Sequence, residues 1–179
     1  MIRYLMVIAF LIQCNFAFAQ GSTVSESEVK AIFLFHFTSF VEWPAHAFNS
    51  PTEPLVIGIL GKNPFGKSLE DAIRGEHKGE HPIVIKYYAN AAEIGKCHIL
   101  FIVKTNPEEL YKTLATLKGK PVLTVGDSPY FTASGGTIKF FVENSKVRLQ
   151  VNMDAVKQVE LVISSKLLRV ADILKAPQP

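Results

Sequence analysis

The sequence predicts a single α/β domain: a three-layer sandwich with a mainly parallel central sheet and an antiparallel C-terminal hairpin. Short apolar runs alternate with segments of helical periodicity, an order that favours a parallel sheet covered by helices on both faces. Two alternating segments near the C-terminus flank Asn144-Ser145, which indicates a hairpin. The 179 residues are 48% hydrophobic and 20% charged, a composition that suits one folded domain and excludes intrinsic disorder.

The first predicted element is a helix that begins with a capping box. Ser25 supplies the cap and Glu28 follows three residues later. We expect this helix to end near Glu42, because Pro44 disfavours helical geometry in the residue before it.

The later elements follow from the same rules. Strands are expected at residues 55–60, 83–88, 98–103, 122–125, 137–142 and 147–151. Asn63-Pro64 predicts the start of a second helix, which ends near Gly75. Pro107 predicts the start of a third helix, and residues 165–174 are expected to form a short helix capped by Ser164 or Ser165.

Residues 1–19 have the pattern of a secretory signal peptide, which leaves residues 20–179 as the mature domain. Arg3 precedes an apolar run over residues 4–12, and Ala17-Phe18-Ala19 presents small residues before a cleavage site at Gln20. Cys14 leaves a lipoprotein signal as an alternative, although Gln13 stands where a small residue is preferred. We expect a periplasmic protein.

Residues 61–68 match the P-loop pattern G-x-x-x-x-G-K-S, which binds nucleotide phosphates. We interpret the match as accidental for two reasons. Pro64 is expected at the first helical position, so the helix would begin before Gly66 and Lys67 and leave no loop to surround a phosphate. A secreted chain also meets little nucleoside triphosphate. A small-anion site at this helix start stays open.

Residues 77–81 match the string H-x-x-E-H of inverted zinc proteases. In those enzymes the string lies on a helix, so that both histidines share one face. Here Gly79 lies inside the string and Pro82 follows it. We therefore predict a solvated loop between a helix and a strand, without a catalytic metal.

The remaining sequence offers no catalytic residue, so we expect neither enzyme activity nor a cofactor. Cys97 begins an apolar run and is interpreted as a small buried hydrophobe. Asp127-Ser128 follows a strand, a position typical both of α/β ligand sites and of simple turns. The net charge of +3 is small and the lysines are scattered, which argues against a nucleic-acid partner.

The first helix has little polar face, so its second side needs a cover. One alternative is burial beneath the C-terminal helix, with His36 as a core or rim residue. The other is a dimer or partner surface, because exposed aromatic patches mark interaction sites. For the second alternative we expect Phe35, Phe40 or Trp43 in the interface and Glu42 at its rim.

Several segments together resemble the YfiR-like family of secreted bacterial proteins. They are residues 29–31, 40–44, 59–61 with 64–66, 97–102, 123–125 with 127–128, 135–138 and 163–168. Each segment is short, but their common order from about Glu28 to Ala171 is specific. In this family the Pro-Phe-Gly segment recurs without the Lys-Ser that follows it here.

The resemblance implies a periplasmic regulatory protein. Its best-studied type represses an inner-membrane diguanylate cyclase by binding the periplasmic part of the enzyme, which lowers cyclic-di-GMP, and an outer-membrane lipoprotein can sequester the regulator. We expect the same partners here, together with a homodimer. A small-ligand-binding sensor acting on a histidine kinase or receptor is the alternative. Family members of the cyclase-repressing type carry paired cysteines, whereas the mature chain keeps Cys97 alone.

The signal-peptide prediction is tested by N-terminal sequencing of the protein recovered from a periplasmic fraction. Cleavage after Ala19 should give a mature chain that starts at Gln20. A chain that starts at a lipidated Cys14, or one that retains Met1, would contradict it.

Overall fold

The computed structural model describes residues 24–174. The α-helices of this part are α1 (Glu26–Phe40), α2 (Ser68–Ile73), α3 (Pro107–Thr116), α4 (Met153–Gln158) and α5 (Ser165–Leu168). The strands are β1 (Val41–Glu42), β2 (Leu55–Leu60), β3 (His77–Lys78), β4 (His81–Tyr88), β5 (Ile99–Ile102), β6 (Leu123–Gly126), β7 (Ile138–Glu143), β8 (Lys146–Val151), β9 (Val162–Ile163) and β10 (Ala171–Ile173). Within these residues, none of the helices combines the length and the apolar character that a membrane span requires.

Eight of the strands form one twisted layer in the order β10-β8-β7-β6-β5-β2-β4-β3. Strands β4, β2, β5, β6 and β7 run parallel to one another, and β7 and β8 form an antiparallel hairpin. Asn144 and Ser145 turn this hairpin with φ values of 50° and 59°, as a type I′ turn requires. The predicted fold class is confirmed. The extent of the 20–179 domain stays a prediction, and the expected signal peptide and Cys14 lie outside the described residues.

The central strands β2, β5 and β6 are buried along their whole length, so the sheet needs a cover on both faces. Helices α1 and α2 cover one face, where Leu34 and Phe37 join the larger core cluster. Helix α3 covers the other face through Leu110, and Phe131 joins the same smaller cluster. The helix–sheet–helix layers follow from this burial.

Helix α1 begins as predicted and ends two residues early. Ser25 and Glu28 form the complete capping box. Val41 and Glu42 leave the helix and pair as β1 with β9 in a separate two-stranded sheet. Buried Lys30 ties the first half of α1 to the end of β6 through an ion pair of 2.9 Å with Asp127, so one residue of the Asp127-Ser128 pair has a structural contact.

The start of the second helix was predicted wrongly. Helix α2 begins at Ser68, not at Pro64. The Asn63 side chain accepts the N–H of Phe65 at 2.9 Å and donates to the Gly66 carbonyl at 3.0 Å. It therefore closes a turn over its own backbone instead of capping a helix. Asn is common both in such turns and at helix N-caps, so the sequence alone does not distinguish the two roles.

Two further segments differ from expectation. The predicted loop at residues 77–81 is a β-hairpin, in which Lys78 pairs with His81 around Gly79 at φ 59°. The predicted helix over 165–174 stops at Leu168, and Ala171–Ile173 instead adds β10 alongside β8. The sequence analysis also missed α4, a short helix that Asn152 caps with two hydrogen bonds. Elements this short carry too few residues to show a period.

The loop between β6 and β7 is built around Phe131, which is fully buried. A Cβ added to Gly126 or Gly136 would lie well inside van der Waals contact with the Phe131 ring. The Gly136 N–H also donates to the Phe131 carbonyl at 3.0 Å. The two glycines therefore provide the space in which the ring sits.

We predict that Gly136→Ala lowers the free energy of unfolding by about 1–3 kcal/mol, because the added methyl group overpacks the ring. Phe131→Leu should relieve the clash, so the double variant should be less destabilised than the sum of the two single changes. Urea unfolding measures both effects. Gly95→Ala is the matched control, because no heavy atom lies within 4 Å of its added Cβ. Additive costs would contradict this account.

Candidate functional site

The outward face of α1 carries a partly apolar stripe made of Ile32, Phe35, His36 and Phe40, which we call the α1 stripe. Ile32 is 45% exposed, His36 is exposed, and the two phenylalanines are half-buried. The His36 ring lies between them, with its centroid 5.3 Å from that of Phe35 and 6.1 Å from that of Phe40. The sequence analysis chose Phe35 and Phe40 but missed Ile32, although the i to i+4 spacing to His36 signals a shared face.

The first alternative for covering α1, burial beneath the C-terminal segment, holds in part, and the second stays a prediction. Phe35, Phe40 and Trp43 pack against the larger core cluster with part of their surface. The C-terminal segment reaches α1 at its end, where the Ser164 N–H donates to the Phe40 carbonyl at 2.8 Å. It does not cover Ile32 or His36, which stay exposed. Core packing therefore covers the inner part of each aromatic ring, whereas the outer part of the α1 stripe remains exposed to solvent.

Trp43 is held by contacts on two sides. Its indole N–H donates to the carbonyl of His98 at 3.1 Å, and its ring meets the His98 ring edge-on with centroids 6.3 Å apart. The Lys78 ammonium lies 5.4 Å from the centre of the Trp43 ring, within the range of a cation–π interaction. The indole is thus held in place by contacts within the protein.

Lys78 connects Trp43 with Glu42. Its Nζ donates to the Val41 carbonyl at 2.7 Å and to Glu42 Oε1 at 3.2 Å. The Glu42 side chain is 68% exposed, so this ion pair adds little stability and leaves the carboxylate accessible. Sequence reasoning missed Lys78, because the hairpin that brings it here was predicted as a loop.

A groove continues from Trp43 and Glu42 towards Phe48 and His81, and we call it the tryptophan groove. The Phe48 ring stacks between two imidazoles, 3.9 Å from His81 and 4.3 Å from His98. The groove therefore has aromatic rings in its lining, together with the charged side chains of Glu42 and Lys78. The structure places the predicted residues on two connected features: Phe35 and Phe40 on the α1 stripe, and Glu42 and Trp43 in the groove.

His98 is the buried polar residue beneath the groove. Its Nδ1 accepts the Val56 N–H at 3.0 Å, so the ring proton lies on Nε2, 3.2 Å from the Ala47 carbonyl. Burial lowers the pKa of His98, because it penalises the charged imidazolium. The folded protein therefore keeps His98 neutral and uses it to join β2, β5 and the segment before β2.

Cys97 and the two histidines of the H-x-x-E-H string lie in surroundings that do not suit catalysis. Burial raises the pKa of Cys97 to about 12, so this thiol is protonated and inert at neutral pH. His77 and His81 stand on the two strands of the β3–β4 hairpin, where they do not share a helix face. Within residues 24–174, no group of three or more His, Cys, Asp or Glu side chains could hold a metal ion.

The P-loop-like string lies between β2 and α2, so Gly66 and Lys67 do precede the helix, contrary to our expectation. The loop nevertheless uses its side chains and N–H groups for packing and for hydrogen bonds within the protein. Phe65 is buried and packs edge-on against Phe101, with ring centroids 4.8 Å apart. The N–H groups of Phe65 and Ser68 are engaged within the loop. These donors are not free to surround a phosphate, which favours a plain strand-to-helix connection.

Comparison with known proteins places this site in context. A family model described as YfiR/HmsC-like matches residues 27–172, which include the α1 stripe and the tryptophan groove. Proteins of this family are regulatory rather than catalytic, and those of the YfiR type act on diguanylate cyclase from the periplasm. No curated protein matches the chain.

We predict that His98 makes stability sensitive to mild acid. Its pKa is lowered in the folded protein and stays near 6.5 in the unfolded chain, so both states are neutral above that pH. Below it the unfolded chain binds an extra proton, and the free energy of unfolding should fall by up to about 1.4 kcal/mol per pH unit. Urea unfolding between pH 7.5 and 5 measures this slope.

The control for this prediction is a pair of variants. His98→Gln removes the titrating ring and should flatten the slope by one proton, whereas His46→Gln, at an exposed position, should keep it. Equal slopes in the wild type and His98→Gln would contradict the assignment.

Proposed function

Because the chain belongs to the YfiR/HmsC-like family, we propose that it is a periplasmic regulatory binding protein that represses an inner-membrane diguanylate cyclase. By binding the periplasmic part of the cyclase, it would lower cyclic-di-GMP inside the cell. The observation that carries this proposal is the family match over residues 27–172, which covers nearly all the described chain.

The α1 stripe and the tryptophan groove together form the proposed partner surface. Half-buried aromatic residues suit such a surface, because their inner part is fixed by the core while their outer part remains free to pack against a partner. Phe35 and Phe40 would supply apolar anchors, and Trp43 would add a ring already fixed by His98 and Lys78. Preorganised anchors lose little conformational entropy on binding.

Glu42 would stand at the rim of this surface. It is largely exposed and pairs only with Lys78 among the described residues, so its carboxylate can meet a positive group of a partner. A homodimer could use the same surface, and an outer-membrane lipoprotein could compete for it. These partners are part of the proposal.

A small-ligand sensor that acts on a histidine kinase or receptor is the second candidate. A cavity at the carboxyl ends of β2 and β5 favours it.

The experiment is deletion of the gene in its source bacterium, with measurement of cyclic-di-GMP. Deletion should raise cyclic-di-GMP, and the wild-type gene should restore the original level. Phe35→Ala should fail to restore it, because loss of an interface aromatic costs about 2 kcal/mol of binding, which weakens the complex about 30-fold. Unchanged cyclic-di-GMP after deletion would refute repression.

A matched pair of charge reversals separates binding from folding. Glu42→Lys and Glu108→Lys each reverse an exposed glutamate that pairs with one lysine, the first beside the proposed surface and the second on α3. Both should leave the melting temperature nearly unchanged, since exposed ion pairs contribute little. Glu42→Lys should impair restoration, and Glu108→Lys should restore fully. Full restoration by both would remove this surface from the proposal.

A further inference from the structure

The order of the strands reverses between β2 and β5. From β2 the chain passes through α2 to β4 on one side, then crosses back to β5 on the other side of β2 and continues to β6 and β7. At such a switch point the two connections leave in opposite directions and open a crevice at the carboxyl ends of the strands. Open α/β sheets bind their ligands there.

A cavity of 470 Å³ occupies this position. Leu60 and Gly61 border it at the end of β2, and Ile102 and Val103 border it at the end of β5. Its volume falls within the range of small-molecule sites. Its floor is apolar and consists of strand ends fixed by the sheet, such as the Val103 N–H, which donates to the Leu60 carbonyl at 3.1 Å. The cavity is therefore preformed.

Gly61 shapes the wall of the cavity. Its φ is +100°, a conformation that L side chains rarely adopt. A Cβ there would stand 3.1 Å from the Cβ of Val103, so a side chain would meet the neighbouring strand end. The glycine lets the chain turn away from β2 while the crevice beside β5 stays open.

The lining of the cavity carries a net positive charge. Lys62, Lys104 and Lys112 line the cavity together with Glu109, which gives the lining a net charge of +2. Lys112 pairs with Glu108 at 2.6 Å, and the Glu109 carboxylate accepts the Thr105 hydroxyl. Lys62 and Lys104 form no ion pair within residues 24–174. Two lysines thus remain available, one at the end of each switch-point strand.

We propose that this cavity binds a small organic anion, with an apolar body against the strand ends and a carboxylate or phosphate between Lys62 and Lys104. The apolar floor provides contact area, and the lysines provide charge-assisted hydrogen bonds. This site does not rest on the proposed repression. It lies at the carboxyl ends of β2 and β5, whereas Trp43 bonds to His98 before β5 begins. The anion site and the tryptophan groove would therefore lie at opposite ends of the strands.

The test is titration of the mature protein with phenyl phosphate, benzoate and the neutral analogue benzyl alcohol, followed by amide chemical shifts. Either anion should give saturable shifts at Gly61, Val103 and Thr105, with a dissociation constant below about 10 mM, and binding should weaken with added salt. Benzyl alcohol should bind at least about tenfold more weakly, because it lacks the charge.

Two variants and a control make the outcome decisive. The double change Lys62→Gln with Lys104→Gln should weaken the anion at least about tenfold. Ala89→Phe should fill the cavity and abolish binding without loss of fold, since Ala89 is an exposed lining residue. The double change Lys157→Gln with Lys166→Gln removes the same charge from exposed positions outside the lining and should leave affinity unchanged. Shifts that map elsewhere, absence of saturation, or equal loss in both double variants would overturn the proposal.

Discussion

Double burial of the central strands is the constraint on which the rest of the structure depends. Every residue of β2, β5 and β6 is buried, so each backbone group must be paired with a neighbouring strand and each face must be covered by apolar side chains. Helices α1 and α2 meet this need on one face, and α3 with Phe131 meets it on the other. Because helices occupy both faces of the sheet, the accessible surfaces near these strands lie at the strand ends and on the outer side of α1. The tryptophan groove, the switch-point cavity and the α1 stripe lie at these places.

Long elements with a clear pattern could be predicted from the sequence, because their period and their end signals agree. The capping box of α1, the apolar run of β2 and the Asn144-Ser145 hairpin are examples, and all three are confirmed. Short elements were missed or misassigned where a side chain had two possible uses. Asn63 closes a turn instead of capping a helix. The last residues of the described chain pair with β8 because a sheet edge is available there, which is a tertiary fact that local propensity does not contain.

Some residues of the candidate site could be predicted from the sequence, and others could not. The aromatic excess of α1 is visible in the sequence, and it led to Phe35, Phe40, Glu42 and Trp43. The structure shows that these residues are half-buried or exposed, while their role in binding remains a proposal. Lys78 and His98 could not be assigned from the sequence, because they reach Trp43 from β3 and from the residue before β5. Lys62 and Lys104 could not be grouped from the sequence either. They are far apart along the chain, and only the strand order places the ends of β2 and β5 side by side.

The pairing of β1 with β9 has a consequence for the time at which this protein can fold. Val41 lies opposite Ile163, so the end of the first helix is fixed by a strand made near the end of the chain. Contacts of such long sequence separation close a large loop and form slowly, and they cannot form before the late segment has been synthesised. The two-stranded sheet that holds the end of α1 is therefore completed only after Val162 and Ile163 are present.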